Sequence, residues 1–332
     1  MPERLPIRRR RFLHMLGGFA AGSSWSRQAP SQAGEMPGND ARGSDFVIDT
    51  HMHVWSRGGR RFPFAHPYQN DFVPPQVDGT VETLIRDMDA HGVSHCVLVQ
   101  VIYHGWDNRY VAHCVRRFPD RLRAHGLIDP TDRHVADKLE YWMGEQKLSG
   151  MRFSPIYYKG KDSWMDDAPA HALWQRAEKL GALFNFFISP PQLPRLERMI
   201  RQYPGVPVVI DHLAQMDLAV EDPRPQLNQL LRLARYPNLS VKVSELASVS
   251  ASGRYPYPDA YPWVERVFDA FGPDRLLWGT GYPGPARAHF QRPTLQEEID
   301  LIRSKIPFWN ADERAKILGR NAARLWRFKR IS

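Results

Sequence analysis

From residue 46 onward, short runs of continuous apolar and β-branched residues alternate with longer stretches whose apolar positions recur every three or four residues. The first kind predicts buried strands, here at 46–49, 95–99, 122–127, 150–153, 183–187, 206–210, 239–243 and 276–278. The second predicts amphipathic helices at 80–91, 106–117, 132–145, 168–180, 193–202, 225–234, 261–270 and 294–304. Turn clusters such as Tyr203-Pro204-Gly205 and Phe271-Gly272-Pro273-Asp274 close helices just before strands. Strands that are apolar throughout belong to a parallel sheet covered by helices on its outer face. Eight such units in about 250 residues predict a closed single-domain α/β structure, a (β/α)8 TIM barrel spanning 45–328, with 329–332 as a tail. An open doubly wound sheet is the structural alternative. It calls for a glycine-rich turn after the first strand, and that turn reads His51-Met52-His53-Val54-Trp55.

Composition changes the picture at one end only. Of 332 residues, 42% are hydrophobic and 24% charged, enough to bury a large core. No apolar run approaches the length of about 18 residues that spans a bilayer, so no stable membrane insertion is expected. Cys96 and Cys114 fall in a strand and a helix, too few and too separate for a disulfide scaffold or a cysteine metal site. The net charge of +9 suggests nucleic acid until it is located: residues 1–33 hold six arginines against one acid. What remains is dispersed, without a basic run interleaved with aromatics, so no nucleic-acid partner is expected. Residues 8–22 read RRRRFLHMLGGFAAG, an arginine cluster leading into a short apolar segment. Arg9-Arg10-Arg11-Phe12-Leu13 resembles a twin-arginine export signal. Residues 1–33 are therefore expected to be a signal peptide read by the twin-arginine export machinery, with 34–44 a linker and the mature chain periplasmic.

In such a barrel the chemistry sits at the C-terminal ends of the strands. The first strand runs into Asp49-Thr50-His51-Met52-His53, and alternation sends both imidazoles the same way, close enough to share a divalent ion. The sixth ends in Asp211-His212, placing an imidazole at the mouth as metal ligand or general base. Arg152 ends the fourth strand, where a guanidinium suits a carboxylate. Glu245 follows the seventh in Val241-Lys242-Val243-Ser244-Glu245. Trp55, His104 and Tyr282 complete the expected substrate contacts. Asp129 and His125 are weaker candidates, and Tyr110, Trp142 and Trp174 carry helical spacing and belong to the core.

Asp49 through Trp55, Gly150-Met151-Arg152, Pro207 through Ala214, Arg275 through Pro283 and Ile317 through Trp326 form an ordered set. Together they resemble the amidohydrolase-related family of metal-dependent hydrolases, most closely its lactonase-like branch. The resemblance implies a hydrolase that opens a lactone with water. It also implies metal contacts from His51, His53 and His212, zinc as the ion, and a small-molecule substrate; His212 and, by its place after the seventh strand, Glu245 are the candidate catalytic groups. The fifth strand, Leu183-Phe184-Asn185-Phe186-Phe187, lacks the histidine of decarboxylating relatives, which sets metal-dependent decarboxylation of an aromatic or unsaturated acid behind hydrolysis. The eighth departs further: Trp278-Gly279-Thr280-Gly281-Tyr282-Pro283 has Gly281 where the family has an aspartate. Three consequences are open: Glu245 takes over the acid's role, His212 serves alone as base, or the barrel is a non-catalytic small-molecule-binding relative. Fewer acids also predict weak, partial metal occupancy, and Gly281→Asp is expected to strengthen metal binding and raise hydrolysis. The sequence leaves a homo-oligomer open.

Overall fold

The computed structural model describes residues 46–158 and 160–329; the expected signal peptide and linker lie outside them. Eight strands follow the predicted runs: β1 (Ile48–Met52), β2 (His95–Val99), β3 (Leu122–Gly126), β4 (Gly150–Phe153), β5 (Leu183–Phe186), β6 (Val208–Ile210), β7 (Leu239–Ser244) and β8 (Leu276–Gly279). Each pairs in parallel with its sequence neighbour, in the order β1 to β8. The edges then meet: Met52 bridges Gly281 in parallel, and the His53 N–H donates to the Gly281 carbonyl at 2.7 Å. This closure excludes the open doubly wound alternative and yields the barrel.

Helices pack outside: α1 (Val81–Ala90), α2 (Arg109–Arg117), α3 (Val135–Gly144), α4 (Ala168–Leu180), α5 (Leu193–Gln202) and α6 (Arg224–Leu231) follow β1 to β6 in turn, and α7 (Leu246–Val249) with α8 (Tyr261–Phe271) follows β7. After β8 come α9 (Pro285–His289) and α10 (Leu295–Asp300), which continues as a π turn over Leu301–Lys305. Their starts follow local chemistry. At α4 the Asp167 carboxylate accepts the Ala170 N–H at 3.0 Å and Pro169 occupies the first turn, where a missing N–H costs nothing.

Two apolar layers result. Leu98, Ala124, Met151, Phe184, Ile210 and Val243 face outward and pack on the helices, where Tyr110, Trp142 and Trp174 also lie. Alternate residues face inward, and Ile48, Val97, Leu183, Val209 and Leu277 form a separate plug with Trp326 and Phe328 at the strands' N-terminal ends. Two positions further along the same strands stand Thr50, Val99, Asn185, Asp211 and Gly279. Polar chemistry begins there, one layer above the plug. Cys96 and Cys114 are buried free thiols.

Candidate active site

The first strand carries a register irregularity between Asp49 and Met52, pinned where Asp49 Oδ1 accepts the His51 N–H at 2.9 Å. Asp49 also accepts from the Thr280 N–H at 3.1 Å and from the Thr280 hydroxyl, so the irregularity is tied to the β1–β8 seam. It brings the His51 and His53 rings to 5.0 Å between centroids. Gly279 makes room, since a Cβ there would stand 2.8 Å from His51 Cβ. The third imidazole, His212, lies 4.4 Å from the His51 ring. It is presented by four successive left-handed residues, His212 to Gln215, with φ between 51° and 56°. Such backbone costs non-glycine residues about 1–2 kcal/mol each and persists where the surroundings hold it.

One hydrogen bond fixes a tautomer outright. A carbonyl only accepts, so His53 donates its Nδ1 proton to Val99 O at 2.8 Å and turns an unprotonated Nε2 away from the strand. His212 Nδ1 meets the Ser244 hydroxyl at 2.8 Å. All three rings stay neutral near pH 7. Burial is the main cause in each case, taking His53 down to about 4 and His51 and His212 well below the ordinary range. Lys242 pushes further on His51, and Arg152 on His53 and His212.

Asp211 is the hub. Its carboxylate accepts from Arg152 Nε at 3.0 Å, Lys242 Nζ at 3.0 Å and Asn185 Nδ2 at 3.4 Å, and stands 3.5 Å from His51 Nδ1. Burial alone would raise its pKa, but Lys242, His51 and Arg152 hold it well below the usual carboxylate range. Lys242 is fully buried, and burial pulls its pKa down against the opposing pull of Asp211. Its role is missed by motif reading, yet alternation on β7 contains it: Val241 and Val243 pack on the helices, so Lys242 and Ser244 must face the barrel.

On the β7–β8 side, Glu245 has a left-handed φ of 55° and pairs with Arg292 at 2.7 Å. Its Oε1 lies 2.8 Å from where a Cβ on Gly281 would stand, so its carboxylate reaches the space that an aspartate side chain at 281 would enter. Burial raises the Glu245 pKa, with Arg292 opposing. Tyr282 stacks on Phe290 at 4.3 Å and meets His53 edge-on at 5.5 Å.

The expected substrate contacts divide. Arg152 lies at a narrow, open cleft walled by Tyr68, Trp106, Phe153, Tyr157 and Tyr158. Its guanidinium lies 4.6 Å over the Phe187 ring. Tyr282 is close to the imidazoles, whereas Trp55 is 2% exposed and gives its indole N–H to Val77 O, forming wall behind Tyr282. His104 has both ring nitrogens engaged within the protein: its Nδ1 lies 2.8 Å from Pro63 O and its Nε2 accepts the Ser56 N–H at 3.2 Å. Both nitrogens are spent on holding the loop after β1. Asp129 caps a turn through Thr131, and His125 accepts the Trp326 indole N–H at 2.8 Å.

The amidohydrolase family profile matches residues 48–328. The chain belongs to the amidohydrolase family. Among relatives in that family, the L-fucono-1,5-lactonase of Burkholderia ambifaria is 26% identical over 86% of this chain and 97% of its own length. The 2-pyrone-4,6-dicarboxylate hydrolase of Comamonas testosteroni is 27% identical, over 84% and 90%. A solved amidohydrolase from Burkholderia multivorans with bound zinc shares the fold, with a TM-score of 0.68, 20% identity, and coverage of 86% of this chain and all of that one.

In this amidohydrolase, the metal-donor cluster among the described residues is His51, Asp211 and His212, with ligand atoms all within 4.8 Å of one another. Asp211 stands in it where the motif pattern put His53. The donor types suit a divalent ion, but the space does not, because Lys242 Nζ already lies 3.1 Å from His51 Nδ1 and 3.0 Å from Asp211 Oδ1.

Proposed function

We propose that this chain hydrolyses a small lactone, with His212 as general base. The observation that carries the reading is the convergence of three neutral imidazoles and a buried carboxylate beside an aromatic cleft that Arg152 lines. The relatives' activities on lactones support it. Neutral His212 takes a proton from water, the resulting hydroxide adds to the lactone carbonyl carbon, and the ring C–O bond breaks. The leaving alkoxide recovers that proton from His212, so one water is consumed and the base is restored. Charge growing on the carbonyl oxygen meets His51, whose Nδ1 accepts from Lys242 and which therefore carries its own proton on Nε2. Arg152 gives its remaining N–H groups to a substrate carboxylate or carbonyl. Glu245, in the reach of the missing eighth-strand acid, orients the attacking water and shares the base's work. Zinc is expected to bind only at low occupancy.

The test is mass spectrometry of the purified chain with sugar lactones, aromatic lactones and aromatic acids. A product heavier by one water is expected, with turnover falling at least about 100-fold in His212→Asn. Ligand retained without conversion would replace the reading with a binding protein, and loss of carbon dioxide would replace it with a decarboxylase.

We further propose that residues 1–33 direct export through the twin-arginine route to the periplasm. Replacing Arg9 and Arg10 with lysine should strand the precursor in the cytoplasm, and undiminished export of that variant would refute the assignment.

A further inference from the structure

Lys242 is among the largest fully buried side chains described, and a long cationic side chain inside a barrel requires a reason. Its Nζ finds three acceptors: Thr50 O at 2.8 Å, Asp211 Oδ1 at 3.0 Å and His51 Nδ1 at 3.1 Å. An ammonium has three N–H groups, and here each has a partner. Two of those acceptors, His51 and Asp211, belong to the cluster that could otherwise gather around a metal ion.

We propose that the Lys242 ε-amino group is a built-in cation that takes the place of a divalent metal in this barrel. Charge bookkeeping points the same way. Asp211 already neutralises one of two adjacent cations, Lys242 and Arg152, and among the described residues no second carboxylate stands in the donor cluster to balance a dication. Glu245 is engaged by Arg292, Asp49 by Thr280 at the β1–β8 seam, and the eighth strand offers Gly281. A divalent ion would have to displace Lys242 from Asp211 and leave a lysine buried without its counter-charge, which is costly. The tautomer adds a second obstacle. Accepting from Lys242 puts the His51 proton on Nε2, so neither nitrogen of that ring offers a free lone pair. The lysine replaces the ion's charge but not its coordination of water, which is consistent with a histidine base acting on water directly. The inference concerns the cation alone and holds whatever the substrate proves to be.

The full chain and Lys242→Met are titrated with zinc chloride, dialysed, and analysed for metal, with cobalt(II) as an absorbing probe of the bound state. The wild-type chain should retain well below one ion per chain, and its melting temperature should not move on adding EDTA. Lys242→Met opens the space between His51 and Asp211 and should bind zinc at least about tenfold more tightly, with visible cobalt absorption confined to the variant. A stoichiometric ion kept by the wild-type chain through dialysis would overturn the proposal. So would a folded Lys242→Met that gains no zinc affinity. If that variant does not fold, the wild-type arm decides: a melting temperature lowered by EDTA refutes the built-in cation, and an unmoved one upholds it.

Discussion

Gly281 and Glu245 occupy one corner of the mouth between them, and the exchange of acid positions has consequences at both residues. Gly281 has a φ of 130°, a region that side-chain-bearing residues avoid, and its absent Cβ leaves room for Glu245 Oε1 at 2.8 Å. Restoring an aspartate therefore meets strained backbone and a carboxylate already in place. This reverses what the motif alone suggests, because an aspartate at 281 would have to displace the Glu245 carboxylate from the space it now fills. Gly281→Asp should lose about 1–3 kcal/mol of stability from backbone strain, with a further loss from the two carboxylates. It should not raise turnover or metal affinity. Adding Glu245→Ala should recover the repulsive part only. Denaturant unfolding of wild type, single and double variants checks this. A Gly281→Asp chain that unfolds at the wild-type midpoint and hydrolyses faster would show that the corner tolerates both acids.

Among the elements, the barrel strands were readable because burial on both faces leaves a run of apolar residues that nothing else in the chain imitates. β2 and β4, and the helices α4 and α5, coincide with their predicted limits. β1 was displaced, from 46–49 to Ile48–Met52, because the motif residues themselves form the paired strand around an irregularity that composition does not announce. The predicted helix at 294–304 is α-helical as far as Asp300 and continues as a π turn over Leu301–Lys305. Within the site, His51, His53, Arg152 and His212 were legible because strand-end position and residue type suffice to name them. Lys242 was legible in principle, from period-two alternation on β7, but a lysine between valines reads first as a solvent-facing side chain. Two features were beyond reading. The left-handed run His212–Gln215 has no compositional signature, since nothing in His-Leu-Ala-Gln demands positive φ. The capture of His104 by Pro63 and Ser56 depends on where a long loop folds back, a contact across 41 and 48 residues that local pattern does not contain.

For the molecule as a whole, stability depends on pH through buried groups that shift in opposite directions. His51, His53 and His212 are held neutral, so the folded state binds protons less readily than the unfolded chain. Their contribution is present above pH 6.5 and is lost as pH falls, through about 4 for His53. Glu298, on α10, shifts the other way. Burial, reinforced by the neighbouring Glu245, raises it from 4.5 to about 8. A carboxyl that prefers its proton in the folded state contributes fully below pH 4.5 and loses that contribution as pH climbs to 8. Between 4.5 and 6.5 the two trends oppose each other, which leaves the interval from 6.5 to 8 for reading Glu298. Across it the wild-type chain should lose stability at a rate on the order of 1 kcal/mol per pH unit. Glu298→Gln mimics the protonated acid in shape and hydrogen bonding while removing its titration. The variant should therefore melt at or above the wild-type temperature at pH 8, with a clearly flatter slope over the interval. Between pH 6.5 and 4.5 it should lose stability more steeply than wild type, because the histidine trend is no longer offset by Glu298, and below 4.5 the two slopes should match. Parallel thermal melts in one buffer series across this range decide the matter. An unchanged alkaline slope in Glu298→Gln would mean that Glu298 is ionised in the folded protein and that Arg287 and Arg292 outweigh its burial.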